Sequence, residues 1–322
     1  MSGLQHHWDT YWQGKGGESQ AVNAPEMARE LAAFWNTHAG ATLQGRGRAR
    51  LLDLACGAGV VALESARAAQ ARSVGLQIVC MDIALEALLA AREGLSGADI
   101  VSVIAGDAGA LPFAAGSFDL VFSQFGVEYA GLDALSQAPV VLADGGELAF
   151  LCHYKDGAIY AESRRNLRVW DAVETSGLLN LALGLLEAAY SADEGTGSQE
   201  GLHACGVAYR QAAEQAGALA QNSDGEAAQN VLRLLGDLAQ LIRRRAAYDR
   251  DDARGWIRAQ ARSCAAVRQR LQDMTAAALD TGQVQAVLAV WREQGVNVPD
   301  PDALKLGDDT RPGAWLLKAS RT

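Results

Sequence analysis

The alternation of apolar and polar positions changes character near residue 155. Before it, short apolar runs bounded by Gly or Asp, at 51–55, 77–81, 99–104, 118–122 and 147–151, read as buried strands. Between two of them, Leu85, Leu88 and Leu89 fall on one helical face. Strands alternating with helices predict βαβ units, a parallel sheet and right-handed crossovers. Beyond residue 155 the period is helical. Val231, Leu234, Leu235, Leu238, Leu241 and Ile242 form an apolar stripe, with Arg233, Asp237, Gln240 and Arg244 outward. A second long helix is predicted over 251–279, with Trp256, Ala259, Val267 and Leu271 as its inward residues. The six prolines stand at 25, 112, 139, 299, 301 and 312, so 140–298 has none. Because proline in a helix interior costs about 3 kcal/mol, this long run reads as mostly helix. Near the end, 303–306 and 314–319 flank a Gly-Asp-Asp-Thr-Arg-Pro-Gly turn, which predicts an antiparallel strand pair closing the sheet.

The stretch Leu51-Leu52-Asp53-Leu54-Ala55-Cys56-Gly57-Ala58-Gly59-Val60 carries the first chemistry. A buried strand runs into a glycine turn that lets backbone approach a ligand, and a helix with free N–H groups follows. Alone, Gly57-x-Gly59-x-x-Ala62 also fits the looser dinucleotide fingerprint. The next strands end in acids. Asp82 closes Val79-Cys80-Met81-Asp82, and Asp107 closes Ile104-Ala105-Gly106-Asp107, ahead of Leu111-Pro112-Phe113 and Ser117-Phe118-Asp119. Open α/β sheets bind ligands at this carboxyl edge.

Together these motifs resemble the class I S-adenosylmethionine-dependent methyltransferases, closely over residues 50–153 and more loosely over 303–319. The resemblance implies a Rossmann-like, doubly wound α/β sheet, mostly parallel with an antiparallel C-terminal strand pair, plus a large helical cap insert. It implies S-adenosyl-L-methionine as cofactor and S-adenosyl-L-homocysteine as product. Asp53 would organise the turn and meet the methionine amino group, while Ala55, Cys56, Gly57 and Gly59 line the methionine and ribose. Asp82 would hold the ribose hydroxyls, Ile83 pack on adenine, and Asp107 accept from the adenine amino group beside Ala108. Ser123 and Gln124 would face the methionine end. An aromatic N-terminal lid, Trp8-Asp9-Thr10-Tyr11-Trp12, would cover the cofactor, with Tyr11 touching it. The division expected is an N-terminal helical lid at 1–45, a cofactor-binding core at 46–154, a helical insert at 155–281, and the final helix and strands at 282–322.

A methyl on a sulfonium is already activated, so the protein must align the acceptor and, where needed, remove a proton. The segments past strands four and five supply the candidates: His153 as general base, and Glu128 and Tyr129 as acceptor-binding residues. The helical insert follows strand five, where a cap enclosing a small-molecule acceptor would begin. Its Leu178–Tyr190 segment reads as cavity lining, as a homodimer face, or as core.

Composition narrows the partners. The 322 residues carry 28 Lys+Arg against 38 Asp+Glu, a net charge of −10, without the basic footprint of a nucleic-acid or anionic-membrane binder. The Asn/Asp-Pro-Pro-aromatic motif of base methylases would fall at Ser123-Gln124-Phe125-Gly126 and is not there. No apolar stretch reaches the roughly 18 residues of a membrane span. The N-terminus lacks a signal-peptide pattern, and five scattered cysteines at 56, 80, 152, 205 and 264 fit a reducing cytoplasm. Adjacent pairs such as His6-His7 and Cys152-His153 are not metal-ligand spacings, so no metal is expected. Two other readings stay open from the residues: an NAD(P)-dependent oxidoreductase, and a non-catalytic S-adenosylmethionine sensor.

Overall fold

The computed structural model describes residues 8, 9, 12, 25–97, 100–306 and 311–322. The chain divides into two compact units, Met1–Tyr160 with Ala276–Thr322, and Ala161–Thr275.

The first unit is built on a seven-stranded sheet of order β3-β2-β1-β4-β5-β7-β6. Its strands are β1 (Arg48–Leu54), β2 (Gly75–Asp82), β3 (Ile100–Ala105), β4 (Phe118–Gln124), β5 (Leu142–His153), β6 (Asp302–Lys305) and β7 (Pro312–Ser320). The first five pair in parallel, while β7 runs antiparallel to both β5 and β6. Strands covered on both faces need apolar side chains in both directions. Leu51, Ile78, Leu120, Phe122, Ala149 and Leu151 accordingly pack with α1 (Pro25–Thr42), α2 (Val60–Ala71) and α3 (Leu85–Gly94). Their neighbours Leu52, Leu54, Val121, Leu148 and Phe150 pack on the other side, with α4 (Leu132–Gln137) and α10 (Thr281–Glu293). The last of these helices starts from a capping box between Asp280 and Gln283, and its buried Trp291 donates from Nε1 to the Leu135 carbonyl at 2.8 Å.

One expected face is corrected. In α3 the inward residues are Ala87, Leu88 and Ala91, whereas Leu85 and Leu89 are each 51% exposed. Small alanines let the helix lie close to the sheet on that stripe, which turns Leu85 and Leu89 out.

The second unit is helical. It takes in most of α5 (Ala158–Thr175), then α6 (Leu178–Asp193), α7 (Gln199–Gln221), α8 (Glu226–Arg243) and nearly all of α9 (Arg250–Ala277). Its own core gathers Val169, Leu178, Ala182, Leu186, Val231, Leu234, Leu238, Ile257 and Leu271. Of the residues expected inward on the last helix, Leu271 is buried, whereas Trp256 and Val267 only pack partly against this core. Glu187 lies between Arg250 and Arg254, and these guanidiniums hold its carboxyl down to about 2. Among the described residues no helix is long and apolar enough to cross a membrane.

In the first unit, the α1 residue His38 stacks parallel on Phe34, with ring centroids 5.7 Å apart, and its Nε2 is buried without a partner. Burial, helped by the charge of Lys318, lowers its pKa to about 4. Between that value and the roughly 6.5 of an unfolded imidazole, the unfolded chain binds a proton that the fold rejects. The His38 contribution is therefore full above pH ~6.5 and is lost as pH falls toward 4. Denaturant unfolding of the wild type and His38→Leu should show the wild type losing about 1–3 kcal/mol more than the variant across that window. An unchanged difference between the two proteins from pH 7 to pH 4 would refute the assignment.

Candidate functional site at the carboxyl edge of the sheet

The ends of β1, β2 and β4 meet at the glycine turn. Gly59 precedes α2 in a left-handed conformation, with φ 78°, and offers that helix no side-chain cap. The free N–H groups of a helix start need acceptors, and the structure supplies one from the strand. Asp53, fully buried, accepts the Ala62 N–H on Oδ2 at 3.0 Å. Its other oxygen, Oδ1, is enclosed with no hydrogen-bond partner. Burial pushes the Asp53 carboxyl well up, against the Ala62 hydrogen bond, and the charge of Asp82 adds to the rise.

Asp82 ties the turn to β2. Oδ2 accepts the Gly57 N–H at 2.8 Å and Oδ1 accepts the Ala84 N–H at 2.9 Å. Burial raises this carboxyl too, while the N–H groups of Ala84, Gly57 and Ile83 oppose the rise. An ionised carboxylate offers about four lone-pair sites, so both oxygens keep acceptor capacity. Ile83 is half-buried beside it. Asp107 is exposed at the end of β3 and accepts the Gly109 N–H on Oδ1 at 2.8 Å, next to the half-buried Ala108. Cys56 is buried, and a hydrogen bond with Cys80, then burial, push its thiol well up, so it is a packing residue and not a thiolate.

The β4 end is engaged by its own surroundings. Ser123 is fully buried, and its Oγ accepts the Val127 N–H at 3.2 Å. Gln124 accepts the Trp35 indole N–H on Oε1 at 2.7 Å, which anchors β4 to α1. Beyond them the backbone is strained: Ala55 has φ 53° and Phe125 φ 50°. A Cβ on Gly126 would lie 2.6 Å from the Ala55 carbonyl oxygen. Gly126 therefore lets the loop after β4 touch the glycine turn. It was missing from the sequence candidates, and its only signal there was a glycine directly after an aromatic.

The structure also brings together two residues 25 positions apart. His153, the last residue of β5, and Glu128, in a short 3₁₀ turn at Val127–Ala130, are both buried, with Nδ1 and Oε1 2.8 Å apart. Tyr129 meets the His153 ring edge-on at 5.8 Å and the Trp8 ring at 5.1 Å. Trp12 packs with Trp8, Ala58, Ala84 and Ala87, close enough that a Cβ on Gly57 would fall 2.9 Å from its Cζ2. Tyr11 lies outside the described residues.

The sequence of residues 51–146 matches a family model described as a methyltransferase domain. The matched segment is less than a third of the chain. No curated protein matches the chain. Among solved structures, the chain is similar to the YcgJ protein from Bacillus subtilis, at 21% identity over 42% of this chain and 59% of that one, with a TM-score of 0.35. It is also similar to a SAM-dependent methyltransferase from Aquifex aeolicus, at 16% identity over 45% and 73% of the two chains, with a TM-score of 0.35. The chain spans 51–61% of the length of the first such structures. The matched segment ends within β5, so β7, β6 and the whole helical unit lie beyond it.

Replacing Gly126 with Ala should destabilise the first unit by about 2 kcal/mol or more, since the β4 loop or the strained Ala55 must move. Gly94→Ala, where an added Cβ meets nothing within 4 Å, is the control and should be neutral. Equal melting temperatures for the two variants would contradict the close approach.

Proposed function

We propose that this chain transfers the methyl group of S-adenosyl-L-methionine to a small molecule bound above the ends of β4 and β5. The observation that carries this reading is the pair of acids at the glycine turn, the half-buried Asp82 and the fully buried Asp53, whose Oδ1 bonds to nothing. The charge of Asp82 adds to the pKa rise at Asp53 and that of Asp9 to the rise at Asp82, and a cationic ligand relieves both. The proposed cofactor brings two positive groups, an α-ammonium and a sulfonium. Asp53 Oδ1 would receive the ammonium beside Ala55, Cys56, Gly57 and Gly59. The spare lone pairs of Asp82 would take the ribose hydroxyls, with Ile83 against adenine and Asp107 and Ala108 at its amino edge. Ser123 and Gln124 would flank the methionine end. Trp12, Trp8 and Tyr11 would form the cover.

The chemistry supplied by the bound cofactor is an electrophilic methyl group, with S-adenosyl-L-homocysteine as the product. The chain's own task is to orient the acceptor in line with that methyl and to keep water out. The place of residues 161–275 in the chain, directly after β5, supports reading them as the part that selects the acceptor. The parallel order 3-2-1-4-5-6 typical of dinucleotide binders lacks the antiparallel β7 that stands here between β5 and β6, which disfavours the oxidoreductase reading.

Calorimetry with S-adenosylmethionine, S-adenosylhomocysteine and NAD tests this reading. The first two should bind and NAD should not. Asp82→Ala should weaken binding by about 1–3 kcal/mol while leaving the protein folded. NAD binding without S-adenosylhomocysteine binding would overturn the proposal.

A further inference from the structure

The Glu128–His153 pair is more specific than a buried histidine needs to be. Glu128 Oε1 accepts two hydrogen bonds from the same residue: the backbone N–H of His153 at 3.0 Å and, at 2.8 Å, its ring Nδ1. With the backbone N–H already donating to that oxygen, the hydrogen-bond network assigns the ring proton to Nδ1. Nε2 is then left with its lone pair. Phe125, held at φ 50°, lies against the ring with a centroid separation of 4.5 Å, and Tyr129 closes its edge, so the imidazole has one orientation. The other oxygen of Glu128 is buried without a partner. A buried carboxylate charge left half-satisfied in this way is costly. Cys152, the residue before His153, feels the same charge, which adds to burial in pushing its thiol well up. A histidine kept only for packing requires neither a doubly anchored carboxylate nor an uncompensated oxygen.

We propose that His153 is the general base of the methyl transfer, that Glu128 is its positioning residue, and that the acceptor is a small molecule whose nucleophilic O or N carries a proton. This rests on the reading of the chain as a methyltransferase. As the acceptor atom bonds to the methyl carbon, the carbon–sulfur bond breaks and its electron pair stays on sulfur. His153 Nε2 takes the acceptor's proton, and the Glu128 carboxylate balances the imidazolium until the proton passes to solvent. Acceptors that present a bare lone pair, such as tertiary amines and thioethers, have no use for this pair.

Two experiments test it. Long-range ¹H–¹⁵N spectra of histidine-labelled protein, with the His153 signal identified by its loss in His153→Gln, should show the Nδ1–H tautomer in the wild type and loss of that preference in Glu128→Gln. An Nε2–H tautomer in the wild type would overturn the proposal. Release of S-adenosylhomocysteine is then followed with small phenols and with primary and secondary amines, each paired with its fully alkylated counterpart. Only proton-bearing members should turn over. His153→Gln should lower kcat by about 10²-fold, a typical share for one general base. Glu128→Gln should lower kcat about tenfold, Glu128→Asp should restore part of it, and cofactor affinity should stay unchanged in all three. Turnover of an alkylated acceptor at its partner's rate, an unchanged kcat in Glu128→Gln, or cofactor binding with no turnover of any proton-bearing member would each contradict the pair as a base. Failure of the wild type to bind S-adenosylmethionine would instead refute the methyltransferase reading beneath it.

Discussion

Two carboxylates held in one enclosed turn set the terms for the rest of the site. Asp53 reaches from β1 to the first turn of α2, and Asp82 reaches from β2 to the Gly57 amide. These bonds fix the path of the glycine turn between strand and helix, and they bring the fully buried Asp53 and the half-buried Asp82 together where screening by water is reduced. Hydrogen bonds from the backbone meet that cost only in part, because Asp53 Oδ1 receives none. The turn is thus stable enough to form and still short of positive charge, which is the condition a cationic ligand satisfies.

The same turn dictates what happens at the next strand. Ala55 takes up a left-handed conformation at the turn, and the loop after β4 approaches so closely that only glycine fits at 126. Phe125, one residue earlier, is left-handed as well, and its ring lies on His153. A continuous set of contacts therefore runs from the glycine turn to the Glu128–His153 pair. Displacement at one end is felt at the other because packed side chains have little room to give.

Much of this architecture is legible in the sequence, for definite reasons. The strands announce themselves as apolar runs because both faces of the sheet are covered, and Asp53, Asp82 and Asp107 stand out as polar residues ending those runs. What escapes is what depends on partners far along the chain. The Trp35–Gln124 bond spans 89 positions, so no local pattern reveals it. Ser123 accepts the Val127 N–H that opens a 3₁₀ turn, which no local pattern marks. Glu128 and His153 could each be named as candidates, but their pairing required the fold. Leu85 and Leu89 face outward because close packing of α3 favours its alanines, which a pattern of leucines does not show.

The central claim is that the paired acids at the glycine turn form a receptor for a cationic methyl donor. Its most direct test is calorimetry of S-adenosylmethionine binding in buffers of different ionisation enthalpy at mildly acidic pH. Since burial raises the Asp53 and Asp82 carboxyls, binding of a cation should expel protons, and the observed heat should vary with buffer. Asp53→Asn should reduce that variation. No binding, or binding with the same heat in every buffer, would contradict the account.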